Sequence, residues 1–261
     1  MNYTIKVNVV KTNNEETKIK GFANIVFGNS MKITNISIIE NSKTGDPFVS
    51  MPRYKSSELG DDNQPIYKDV CNPITKEFRD ELYKNILAAY EQTVADPKAT
   101  MEIDADSKKE PDFQVRMHPL DKEGSNVKAI GQIYIADCFV INNVNVIEGK
   151  KGLFVTMPSY KTKKVDETGK AVYQDICYPI TKDFRDKLFS AILDTYTAER
   201  DKTAQEPEKI PDQSLPFKGK DEAKEESENK TKVESKDSSK NDSKDDKTPK
   251  EKTPSKKGRK K

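Results

Sequence analysis

Two periods of apolar residues alternate along this chain. From residue 19, Ile19, Gly21, Ala23, Ile25 and Phe27 are separated by mostly polar neighbours, as are Met31 and Ile33 and then Ile36 and Ile38. That period of two predicts half-buried β-strands. The phase slips at Thr34-Asn35, and it slips again at Asn142-Asn143, between Ile141 and Val144. One extra residue in a strand is a β-bulge or bend, which is the expectation at both places. Next come two nearly identical octets, "FVSMPRYK" at 48–55 and "FVTMPSYK" at 154–161, in which Pro52 or Pro158 closes a strand or lies on a sheet edge. A polar loop follows each octet, then a short strand, "IYKDVC" or "VYQDIC". The period then lengthens to about 3.6. Phe78, Leu82, Ile86 and Leu87 form one apolar stripe, and Phe184, Leu188, Ile192 and Leu193 form its counterpart. Thr75 and Thr181 are suited to cap these helices, with Glu77 and Asp183 favourable in the first turn.

The recurrence is a tandem repeat. Residues 48–90 align on 154–196 without a gap at an offset of 106, with 20 of 43 positions identical. Upstream, 20–40 match 128–148 at an offset of 108, and the two-residue difference falls in one loop, "NSKTGDP" against "GKKGL". The expected organisation is a first module at 1–93, a linker at 94–111, a second module at 112–200 and a tail at 201–261. The expected fold class is α+β, with each module an antiparallel sheet covered by a C-terminal helix.

Composition changes the picture mainly beyond residue 200. Over the 261 residues, 33% are hydrophobic and 34% charged, and mean hydropathy is −0.89, too polar for one core throughout. The tail from about 201 is dominated by Lys, Glu, Asp and Ser and is expected to be disordered, because it buries too little to offset ordering entropy. Residues 1–200 carry 28 basic and 29 acidic side chains, whereas 247–261 carry 8 basic and 1 acidic. Any anion affinity of the folded part therefore needs a local patch. The beginning Met-Asn-Tyr-Thr-Ile-Lys-Val lacks a signal-peptide pattern and no apolar run approaches a membrane span, so a cytoplasmic location is expected, with no membrane partner.

Candidate chemistry is sparse. No P-loop, Rossmann, GxSxG or zinc signature is present, and the reading is of a non-enzymatic protein with no cofactor and no metal. His118, the only histidine, reads as a strand-end residue. Cys71 and Cys177, at equivalent positions before a proline, fit either a redox or metal site shared between copies or small core residues, and the second reading suits free cysteine better. The copies differ in charge. Lys150 and Lys151 lie in the loop before the second octet; Lys161, Lys163, Lys164 and Lys170 lie in and after it; Lys182, Arg185 and Lys187 open its helix. In the first copy, Arg53 and Lys55 are outnumbered by Glu58, Asp61 and Asp62. Clustered lysine and arginine attract phosphate through counterion release, so the second copy is the candidate nucleic-acid binder; solvated surface charge is the alternative. Tyr54 and Tyr160 suit either base stacking or packing on the sheet. In the tail, "KKGRKK" is a candidate non-specific contact, and Asp212–Phe217, "DQSLPF", is a candidate protein-docking peptide.

The stretches "NVNVIEGKKGLFVTMPSYKT" and "YQDICYPITKDFRDKLFSAILDTY" resemble the septation protein SpoVG family, which carries a similar strand and a Pro-Ile turn before its helix. The resemblance covers about 113–198 well and 3–92 more loosely. It implies a small bacterial regulator that dimerises, binds DNA or RNA and is linked to septation or sporulation; dimerising relatives in turn imply that the two modules here pair as an intramolecular pseudo-dimer or within a homo-oligomer, neighbours protecting sheet edges. It further implies binding through an Arg-x-Lys pair early in the helix, matched by Arg185 and Lys187. In the first copy Arg79 matches and Glu81 replaces the lysine; Asn72 and Tyr178 stand where the family has histidine. The alternative function is a protein-interaction adaptor built from the paired modules and the docking peptide.

Overall fold

The computed structural model describes residues 1–11, 17–104 and 109–205. The expectations placed on the tail, including Asp212–Phe217 and the cationic end, lie outside the described residues.

In the first copy, β1 (Tyr3–Val9), β2 (Ile19–Phe27) and β3 (Met31–Glu40) form an antiparallel meander, and β4 (Pro47–Ser50) pairs with the second half of β3. After β5 (Arg53–Leu59), β6 (Pro65–Asp69) and β7 (Cys71–Pro73) comes α1 (Lys76–Ala95), and β8 (Met101–Ile103) follows it. The second copy repeats the pattern with β9 (Phe113–Pro119), β10 (Val127–Ile135), β11 (Phe139–Gly149), β12 (Gly152–Thr156), β13 (Ser159–Val165), β14 (Ala171–Asp175), β15 (Cys177–Pro179) and α2 (Lys182–Gln205). Both helices begin where expected: the Thr75 hydroxyl accepts from the Phe78 N–H at 3.3 Å, and Thr181 does the same for Phe184 at 3.4 Å. The apolar stripes Phe78, Leu82, Ile86 and Phe184, Leu188, Ile192 are buried against β1 and β9 respectively.

The bulges determine how the copies combine. In β3, Thr34 and Asn35 oppose the single residue Asn24, and Asn35 turns left-handed at φ 62°. In β11, Asn142 and Asn143 oppose Gln132, with Asn143 at φ 58°. Asparagine tolerates this region better than most side chains. Each bulge divides the outer edge of its strand in two. Past it, β4 or β12 from the same copy completes the ladder. Before it, the partner comes from the other copy: β15 pairs with β3, Cys177 opposite Ile33 and Pro179 opposite Met31, while β7 pairs with β11, Cys71 opposite Ile141 and Pro73 opposite Phe139. The bulged residues clamp the incoming strands. The Thr34 N–H donates to the Ile176 carbonyl at 2.8 Å and its hydroxyl to the same oxygen at 3.1 Å. Asn142 donates its N–H to the Val70 carbonyl at 2.8 Å and its side-chain amide to the Asp69 carbonyl at 3.1 Å. The copies thus interlock by reciprocal strand exchange.

A single core results. Phe27 and Phe139, one from each copy and both fully buried, meet at 5.1 Å between ring centroids. Cys71 and Cys177 are fully buried; burial first, then the neighbouring Cys71 thiol, pushes the Cys177 thiol upward. They are packed as core residues. Among the described residues no cluster of three or more ligating side chains is suited to a metal, and no helix is long and apolar enough to cross a membrane.

Three segments depart from expectation. The end of each octet and much of the polar loop after it form a strand instead, β5 or β13, which pairs with the expected short strand, β6 or β14, as a two-stranded arm hydrogen-bonded outside the main sheets. Its turn needs a left-handed residue, supplied by Asn63 (φ 58°) and at the equivalent place by Gly169 (φ 79°). Both arm faces are largely solvated, so no apolar alternation marked it. Second, the described part of the segment 94–111 includes regular structure: its first two residues end α1, and β8 pairs with β1. The chain then crosses Gly28, where a Cβ would lie 2.5 Å from Pro111. No described strand covers the corresponding edge of β9, and Phe113 and Val115 are only half-buried where Tyr3 and Ile5 are buried. Third, α2 continues five residues past 200.

Two outcomes follow from the exchange. Residues 112–205 alone have no β7 to fill the first half of β11, and should assemble as a homodimer by exchanging β15; a monomeric mass in light scattering would contradict the interlock. In the intact native chain, a thiol reagent should modify half-buried Cys138 first, with Cys71 and Cys177 reacting only on unfolding. Native labelling of all three at one rate would show that the exchanged strands detach readily.

Candidate nucleic-acid interface

The two arms share a backbone and differ in charge. In the β5–β6 arm, Arg53 pairs with Asp69 at 2.8 Å and Lys68 with Glu58 at 2.7 Å. In the β13–β14 arm the equivalent positions are Ser159 opposite Asp175, and Gln174 with Lys164. Both ion pairs are therefore gone. Lys161, Lys163, Lys164 and Lys170 are exposed, and among the described residues none of them is ion-paired. The nearby carboxylate of Asp166 is held by the turn, accepting from the Thr168 hydroxyl at 2.7 Å and from the N–H groups of Thr168 and Lys170 at 2.8 and 2.9 Å. The Thr168 hydroxyl, then the Lys170 N–H, keep its carboxyl below the usual range. This arm presents cationic side chains to solvent.

At the base of the arm, Arg185 projects from the first turn of α2 beside Asp175, the last residue of β14. Partial burial raises the Asp175 carboxyl and Arg185 opposes that shift. The Arg185 charge is thus felt at the base of the arm, to which α2 is joined by the short β15 segment. Arg79 is exposed at the equivalent place, next to an arm already neutralised by Arg53 and Asp69.

Other candidates are placed elsewhere. Lys187 is two residues from Arg185, and side chains at that spacing do not share a helix face. Its ammonium lies 5.6 Å from the Phe113 ring centroid and 3.7 Å from Glu110. In the first copy the corresponding pair is Glu81 and Tyr3: the Tyr3 hydroxyl donates to Glu81 at 2.9 Å, and burial raises it well above its ordinary range. The Arg-x-Lys pair is thus split between two surfaces. Lys182 pairs with Asp186 at 2.6 Å, as Lys76 does with Asp80 at 2.8 Å, so its charge does not distinguish the copies. Lys150 and Lys151 occupy the β11–β12 turn, separated from the arm by the length of β12, roughly 20 Å.

Among aromatics, Tyr54 packs partly against the core, and Tyr160, 37% exposed, donates its hydroxyl to Gln174 at 2.9 Å. The most exposed ring on the second arm is Tyr173, 63% exposed and directly opposite Lys161. Sequence reasoning missed it, because the pairing exists only once the polar stretch is recognised as a hairpin. His118 is exposed on β9 and takes no part.

Comparison with known proteins bears on this arrangement. The family model SpoVG matches residues 1–92 and again 112–198. The putative septation protein SpoVG of Treponema denticola is 41% identical over 73 residues, covering 28% of this chain and 72% of that protein. Those of Lachnospira eligens and Lachnoclostridium phytofermentans are 42% and 43% identical over 82 residues, each covering 31% of this chain and 85% and 81% of the relatives. Each relative has the length of about one copy, and the interlocked pair here carries the family pattern twice. The chain belongs to the SpoVG family, as two tandem family units in one polypeptide.

Proposed function

We propose that this protein is a non-enzymatic, nucleic-acid-binding regulator of the kind associated with septation, as its relatives are named. The second copy's β13–β14 arm and Arg185 form the contact surface for phosphate. The observation that carries this reading is the asymmetry of the arms: on one scaffold, residues 53–69 carry three cations, two of them ion-paired, against four carboxylates, whereas residues 159–175 carry four lysines, none of them ion-paired among the described residues, against three carboxylates. Unpaired, solvated lysines hold condensable charge that a polyanion can use, whereas paired ones must first break a salt bridge. Lys182, Lys187, Lys150 and Lys151 are accessory at most, given their partners and positions.

A second reading, as a protein-interaction adaptor, draws on the first arm, which has no excess of cations and leaves Leu59 57% and Tyr67 61% exposed. Salt separates the two, because phosphate binding weakens steeply as salt rises and apolar docking does not.

The test is fluorescence anisotropy of labelled DNA and RNA over a salt series. It compares the full chain, residues 1–205, and the full chain with Lys161→Glu, Lys163→Glu and Lys164→Glu. Residues 1–205 should bind with a steep salt dependence, and the triple reversal should weaken binding by more than about tenfold and flatten the slope. Binding that needs residues 206–261 and ignores the reversal would move the affinity to the tail and favour the adaptor reading.

A further inference from the structure

Resting on the nucleic-acid reading, the second arm also indicates which form of nucleic acid it takes. Both arms set a tyrosine directly across from a lysine, Tyr67 opposite Lys55 and Tyr173 opposite Lys161. Both rings are more than half exposed, at 61% and 63%. Neither belongs to the core or to the residues packed on it, and neither makes an aromatic, cation–π or side-chain hydrogen-bonded contact among the described residues. A large apolar ring on a protruding hairpin stabilises nothing in the fold itself. The two arms differ in what surrounds the ring. Around Tyr67, Arg53 and Lys68 are ion-paired and, among the described residues, Lys55 stands without an ion pair near exposed Asp61 and Asp62; around Tyr173 all four lysines of the arm lack ion pairs among the described residues, with Val165 66% exposed on the same hairpin.

We infer that the β13–β14 arm binds unpaired nucleotides, with a base stacked on Tyr173 and flanking phosphates on Lys161, Lys163 and Lys164. A duplex shows proteins its base edges and its backbone, and the base faces are occupied by their neighbours in the stack. An exposed ring gains from stacking only where a base face is free, as in single strands and loops. Every base has such a face, so this recognition tolerates sequence. The first arm holds the same tyrosine opposite a single unpaired cation, Lys55, with Asp61 and Asp62 on the same hairpin, and lacks the cluster of free lysines that would hold the flanking phosphates.

Tyrosine-to-tryptophan substitution provides a direct readout, because the chain contains no tryptophan. The full chain with Tyr173→Trp is titrated with oligo-dT, oligo-U and a duplex DNA; Tyr67→Trp is the matched control. Single strands should quench the indole emission of the Tyr173→Trp chain while duplex leaves it unchanged, and the Tyr67→Trp chain should show no quenching with any probe. Stronger quenching by oligo-U than by oligo-dT would assign the site to RNA, and the reverse to DNA. In parallel, Tyr173→Ala should weaken single-strand binding by about tenfold with the salt slope retained, and Tyr173→Phe should bind like the parent. Single strands that bind by anisotropy with the Tyr173→Trp chain unquenched and the Tyr173→Ala chain unimpaired would overturn stacking while leaving the arm as a phosphate binder. A full chain that changes the anisotropy of no probe would overturn the functional reading itself.

Discussion

The structure depends on satisfying two short stretches of buried strand edge. Met31–Ile33 and Phe139–Ile141 lie in the core, where their outward N–H and C=O groups have no water to turn to, and each unpaired group costs on the order of 1–3 kcal/mol. Neither copy fills its own edge there. The bulges at Thr34-Asn35 and Asn142-Asn143 end the pairing with β4 and β12, and three-residue strands from the other copy complete the ladders. Because each copy supplies what the other lacks, the modules fold as one body around Phe27, Phe139, Cys71 and Cys177.

The octets acquire their meaning from this exchange. Met51 and Met157 are buried where β4 and β12 end, and the following prolines stand where the chain leaves its own sheet, their missing N–H costing no ladder bond. The Pro52 and Pro158 carbonyls then accept from Val70 and Ile176 at 2.8 Å, closing each arm at its base just before the crossing strand. Each arm is therefore anchored by the same residues that deliver β7 or β15 to the other copy. An arm so fixed can change its surface charge without disturbing the core.

Joining the copies in one chain lets the arms diverge. In an assembly of identical subunits, both arms must carry the same side chains. Here Glu58, Lys68 and Arg53 face solvent in paired form on one side, and Lys164, Gln174 and Ser159 replace them on the other. The same freedom shows at the helices, where Tyr3 with Glu81 becomes Phe113 with Lys187, a part-buried hydrogen bond exchanged for a cation over a ring. The proposed interface uses a difference between copies that a symmetric dimer does not permit.

The repeat, its α+β elements, the bulges, the helix caps and the cationic bias of the second copy were all legible in the sequence. Each is local: period-two alternation and its slip at Thr34-Asn35, a threonine before an apolar stripe, lysine where the other copy has glutamate. Only the second strand of each arm was legible; its partner, β5 or β13, is largely solvated on both faces and carries no apolar period, and so the Lys161–Tyr173 pair stayed hidden. Nor was β8, three residues in a polar stretch whose strand character comes only from the edge of β1. Local pattern also could not separate Arg185 from Lys187, which the helix turns to different surfaces. Which copy receives β7 and β15 was likewise decided only by tertiary structure, because a three-residue strand encodes its own extension but not its partner, and the buried edge that needs it lies in the other half of the chain.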